Sequence, residues 1–117
     1  MILSPQDPVS CDYNNYGCDG GYINLAWDYL KNTGLVTDGC FPYTSGSGVA
    51  PACPTNKKCA DGTVWTKYKC GAIVNPTTVT AISTELYNNG PMEGAFTVYE
   101  DFFSYQSGVY YHVSGGV

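Results

Sequence analysis

The clearest pattern is helical. Ile23, Ala26, Trp27 and Leu30 recur at i, i+3, i+4 and i+7, one stripe of a helix. Asn32-Thr33-Gly34 ends it, with Gly34 suited to a left-handed cap. A second helix is predicted at about 77–89, where Val79, Ile82 and Leu86 give a buried stripe and Gly90-Pro91 a stop. A shorter helix starts at Ser4-Pro5-Gln6-Asp7: Ser4 caps, Pro5 suits the first turn and Asp7 favours the positive end. Pro8 has no N–H to donate, so this helix should be short. Beyond residue 90 the period changes to two, and Ala95–Val98 and Gly108–Val113 read as strands.

Between these elements the pattern lapses. Residues 12–21 are loop chemistry throughout. Residues 38–71 are rich in Gly, Pro, Ser, Thr and Cys with little periodicity. A loop that long needs staples, and four of the six Cys lie in it. The first part is therefore helical and loop-rich, the last part β-rich, with the switch near 71–75.

Composition narrows the class. A chain of 117 residues has room for one domain at most, and 44% hydrophobic residues can build a core. Fourteen Gly imply much turn and irregular structure. Ten acidic residues face five basic ones, with no Arg. That balance argues against nucleic acid and anionic membrane surfaces, both of which select a positive field. Six Cys favour disulfides and an oxidising compartment. Reduced thiols or a zinc site are the alternatives. Six residues separate Cys11 from Cys18 and five separate Cys53 from Cys59, so neither pair is a two-residue zinc knuckle. Met1-Ile2-Leu3 runs at once into Ser4-Pro5-Gln6-Asp7, too short for the apolar core of a secretion signal. A disulfide-rich composition without such a signal is most simply explained by a truncated chain.

Several motifs resemble one family in order along the chain. Leu3-Ser4-Pro5-Gln6-Asp7, Val9-Ser10-Cys11 and Gly17-Cys18-Asp19-Gly20-Gly21-Tyr22 resemble the papain-family segment that follows the catalytic helix. Gly34-Leu35-Val36 and Gly39-Cys40-Phe41-Pro42-Tyr43 continue the match. Asn89 through Phe102 and Tyr105 through Tyr110 are similar to cathepsin B and its relatives in particular. The resemblance implies an α+β fold, the papain-like cysteine peptidase fold in partial form. Residues 1–72 would be a helical, disulfide-stapled part of the left domain without the helix that bears the catalytic Cys. Residues 73–117 would begin the right-domain β-barrel without the catalytic His and Asn.

The family's chemistry is a thiolate–imidazolium attack on a peptide carbonyl, with an Asn orienting the imidazole and a Gln side chain with a backbone N–H holding the oxyanion. No catalytic residue is assigned in this chain. The family's Cys-Gly-Ser-Cys-Trp run is absent, and Gly115-Gly116 is followed by Val117 where the family has His. The sole histidine, His112, matches a strand residue ahead of the catalytic one. Alone, the chain is expected to be inactive and, with apolar surface uncovered, poorly soluble.

The resemblance implies a substrate-binding role for Gly20, Gly21 and Tyr22, which border the cleft; the second Gly pairs its backbone with the substrate, as close approach requires. Taken alone, two adjacent Gly imply only a turn. Ile23 stands where the family commonly has Pro, and Ala95 resembles the small residue walling the pocket for the substrate's second side chain; both also suit ordinary core positions. Six Cys allow fifteen full pairings. The resemblance implies Cys11 with Cys53, Cys40 with Cys59, and Cys18 with a Cys outside this chain; Cys70 has no implied partner. No cofactor or metal is implied. The implied partners are a peptide or protein substrate and a propeptide or protein inhibitor in the cleft, and the implied compartment is lysosomal or secreted. Cathepsin B trims dipeptides with a His-bearing occluding loop, whereas no His lies between Cys40 and Cys59. An endopeptidase is therefore expected. The competing readings are a fragment of a non-catalytic homologue and a free-standing disulfide-stapled binding module.

Overall fold

The computed structural model describes residues 1–117. It contains helices α1 (Gln6–Cys11), α2 (Ile23–Asn32) and α3 (Val79–Asn89), with 3-10 turns at Gly17–Asp19 and Glu100–Ser104. Residues divide into two compact units, Met1–Pro76 and Thr77–Val117.

In the first unit α1 forms where the sequence places it. Ser4 Oγ accepts the Asp7 N–H at 3.1 Å and donates to the Phe41 carbonyl at 2.6 Å. Pro8 falls in the first turn, where its missing N–H would have had no intrahelical partner. The helix is six residues long. Its N-terminal side chains are buried and polar, and each is answered. Gln6 Nε2 donates to Ser10 Oγ and Ser45 Oγ, both at 2.9 Å, while Gln6 Oε1 accepts the Thr44 N–H at 2.7 Å. The Asp7 carboxylate accepts Tyr29 OH at 2.8 Å and the Val36 N–H at 2.9 Å. Lys67 Nζ reaches both of its oxygens, at 2.9 and 2.7 Å. Burial first, then the hydrogen bond to Asp7, pushes the Tyr29 hydroxyl well above its ordinary pKa.

This hub joins α1, α2, the 34–36 segment and the strip around Lys67. Leu35 and Tyr68 exchange backbone hydrogen bonds at 2.9 and 2.8 Å in an isolated bridge. Two disulfides hold the 38–71 region: Cys11–Cys53, closing a separation of 42, and Cys40–Cys59, closing 19. They are the pairs that the resemblance implies. The buried apolar residues are Cys11, Val36 and Cys40, against five buried polar ones, Ser4, Gln6, Asp7, Asp12 and Ser45. The centre of this unit is thus a hydrogen-bonded and cross-linked framework.

In the second unit α3 is capped by Thr78, whose side chain accepts the Ala81 N–H, and it ends at Gly90. Its predicted stripe is not buried: Val79 is 82% exposed and Leu86 45%. No element of its own unit packs over it. The strands predicted at 95–98 and 108–113 are not formed, so the start of a barrel is not seen. A strand exists only through a ladder partner, and neither segment finds one. Phe102 instead gathers Phe96, Tyr105 and Tyr110, at centroid distances of 5.2, 5.9 and 5.0 Å. Asp101 accepts Tyr110 OH at 2.6 Å, the Val113 N–H at 2.7 Å and the Ser114 N–H at 3.1 Å. Those bonds, led by Tyr110, hold the Asp101 carboxyl well below the usual carboxylate range.

Two outcomes follow. Asp7→Asn should lower the unfolding free energy by about 3 kcal/mol, the low end for a broken buried pair because Lys67 stays partly wet. Urea titration of the chain measures it, and a change under about 0.5 kcal/mol would be the range of an ordinary surface substitution. The depressed Asp101 pKa gives stability that is present above the unfolded carboxylate value, 3.8, and lost as pH falls through the folded value. The near-ultraviolet dichroism of the aromatic cluster should therefore fade below about pH 4, and Asp101→Asn should flatten that dependence. Identical acid profiles for both proteins would contradict it.

Candidate functional site

The loop between α1 and α2 is built on Asp12, which is buried just after the Cys11–Cys53 bond. Asp12 Oδ1 accepts the Asn14 N–H at 3.1 Å, an Asx turn, and Oδ2 accepts Asn15 Nδ2 at 2.6 Å. Asn15 Oδ1 in turn accepts the Tyr22 N–H at 2.7 Å. A chain of side-chain bonds from Asp12 through Asn15 therefore fixes the entry to α2.

The two glycines are needed for different reasons. Gly20 has φ +102° and ψ −163°, a backbone that L side chains rarely adopt. Gly21 lies against Asn15: a Cβ there would run into Asn15 Oδ1 and stand 2.8 Å from its Cγ. The Gly20 carbonyl accepts the Tyr16 N–H at 3.0 Å, whereas the Gly21 N–H and C=O make no hydrogen bond within the chain. The loop is exposed. Tyr22 packs edge-on to Tyr16 with centroids 6.4 Å apart, leaving both rings largely in solvent.

The structure brings Gly20, Gly21, Tyr22 and Ile23 into one contiguous exposed segment, with Ile23 opening α2 at 37% exposure. Ala95 belongs to the second unit and is exposed there. Cys18, in the 3-10 turn, is an exposed free thiol, and Cys70 is also free. His112 stacks on Tyr99 with ring centroids 3.8 Å apart, and its Nδ1 lies 3.2 Å from Asp101 Oδ1. No three His, Cys, Asp or Glu side chains group as a metal site. Sequence reasoning passed over Asp12 and Asn15; an Asp three residues before an Asn-Tyr-Gly turn was the available signal.

The model of the papain family of cysteine proteases matches residues 1–116. The chain belongs to that family. Within it, the chain is similar to cathepsin B proteins. It is 47% identical to cathepsin B-like CP3 of Giardia intestinalis, covering 97% of this chain and 38% of that protein. It is 36% identical to cathepsin B of Dictyostelium discoideum, covering 97% and 40%. Among solved structures, procathepsin B S9 from Trypanosoma congolense superposes with a TM-score of 0.82 at 33% identity, over 97% of this chain and 40% of that one. The chain thus spans about two fifths of the length of the curated relatives that it matches.

Gly21→Ala should push Asn15 aside and release the Tyr22 amide from its bond. Asn15→Ala should release it equally. Amide exchange at Tyr22 reads both, and unchanged protection in either variant would show that Asn15 does not hold the loop.

Proposed function

We propose that this chain is part of a cathepsin B-like cysteine endopeptidase that hydrolyses peptide bonds by a thiolate–imidazolium mechanism, and that it supplies one wall of the substrate cleft. One observation carries the reading. In a chain of the papain family, Gly21 offers an N–H and a C=O without protein partners on an exposed loop. An extended peptide can add to such an edge through its own main chain. Gly20, Tyr22 and Ile23 would flank the substrate.

In this reading residues 1–72 are part of the helical domain and residues 73–117 begin the barrel domain. The nucleophilic Cys, the imidazole and its orienting Asn come from chain beyond these residues, and so does the partner of Cys18. The 117 residues alone then have no peptidase activity. The absence of His between Cys40 and Cys59 favours endopeptidase over dipeptide-trimming action. A lysosomal or secreted setting would suit the two disulfides. No helix is long and apolar enough to cross a membrane. A propeptide is a partner to expect, because the similar solved protein is named a procathepsin.

The test is a chimera in which residues 1–116 replace the matching segment of the Giardia cathepsin B-like CP3. It should cleave a dipeptidyl fluorogenic substrate and should prefer peptides with a blocked C-terminus, while the 117-residue chain cleaves neither. A folded but inactive chimera would overturn the peptidase reading. A preference for free C-termini would overturn the endopeptidase part. Turnover by the isolated chain would overturn the assignment of the chemistry to other residues.

A further inference from the structure

We propose that Asp101 is a positioning residue for the reaction, acting through the run from Tyr110 to Gly116. This rests on the peptidase reading, in which the reactive imidazole comes from chain that follows this run. The run has no ladder partner. Its course is set by one carboxylate. Asp101 Oδ1 accepts Tyr110 OH at 2.6 Å and faces His112 Nδ1 at 3.2 Å, while Oδ2 accepts the N–H groups of Val113 at 2.7 Å and Ser114 at 3.1 Å. Four donors use about the full acceptor capacity of a carboxylate. Charge-assisted bonds to an ionised acceptor are the shorter and stronger kind.

Contacts of the two residues before Asp101 continue the clamp. The Glu100 N–H donates to the Gly116 carbonyl at 2.9 Å. A Cβ on Gly115 would stand 2.8 Å from Glu100 Cβ, so the Gly is needed where the two segments cross. Tyr99 stacks on the His112 ring within 15° of parallel. Residues 99–101 thus touch Tyr110 and each residue from His112 to Gly116. Removing the charge of Asp101 leaves the segment lengths and the aromatic contacts intact, but replaces an acceptor-only group with one that is half donor. The N–H pair of Val113 and Ser114 then loses its shared anchor.

Two measurements decide it. In the 117-residue chain at low micromolar concentration, Asp101→Asn should speed amide exchange at Val113 and Ser114 by about tenfold, with α2 unchanged. Equal rates would overturn the clamp. In the chimera described above, Asp101→Asn should lower kcat by about tenfold with KM held within about twofold, and Asp101→Glu should recover part of the loss. An active chimera indifferent to Asp101→Asn overturns the positioning role alone. A folded wild-type chimera without activity overturns the peptidase reading and this role with it.

Discussion

Burying the Asp7 carboxylate among α1, α2 and the Lys67 strip sets the terms for the first unit. Desolvating a carboxylate costs several kcal/mol, and the cost is recovered only where geometry and partners are complete. Here the partners come from three places in the sequence: the Tyr29 hydroxyl, the Val36 N–H, and a Lys67 ammonium that also lies 4.9 Å from the Trp65 ring and 3.2 Å from the Gly34 carbonyl. Such a hub contributes less to raw stability than to uniqueness, because any slip of one segment strands a buried charge. Gln6, next in line, does the same for the 44–45 loop through neutral bonds. With only three apolar residues buried, this polar framework and two disulfides take the place of an oily centre.

The candidate site inherits its order from that framework. Cys11 ends α1 and is bonded to Cys53, so Asp12 starts the loop from a fixed point. Asp12 holds Asn15, Asn15 holds the Tyr22 amide, and the glycines between are left to face outward with one main-chain edge unsatisfied. On the proposed reading this edge is preorganised: the loop is shaped before any peptide arrives, so less conformational entropy would be lost on binding.

How much of this could be read in the sequence depended on whether the signal was local. Helices α1, α2 and α3 were legible because capping residues, stops and the 3.6 period act within a few residues of one another. Ser4, Gly34 and Gly90 all sit where the local chemistry required, and the Thr78 cap of α3 came only with the structure. The disulfide pairs were legible only through resemblance, since spacing alone left fifteen choices. Asp7 was read as a dipole partner for α1, and its role as hub was hidden because its partners lie 22, 29 and 60 residues away. The strands at 95–98 and 108–113 failed for a related reason. A period of two says which face a strand would bury, and nothing about which neighbour would pair with it. In this chain those segments are ordered by Phe102 and Asp101 instead, and the apolar side chains of Phe96, Val109 and Tyr111 stay exposed.

The central claim is that Gly21 presents its main chain to an extended peptide. A crystal structure of the Giardia chimera with a bound peptide aldehyde measures it directly. The account predicts that the Gly21 N–H and C=O each lie about 2.7–3.2 Å from a complementary main-chain atom of the peptide. A peptide bound with the Gly21 groups turned into the protein, or standing free of them, would contradict it.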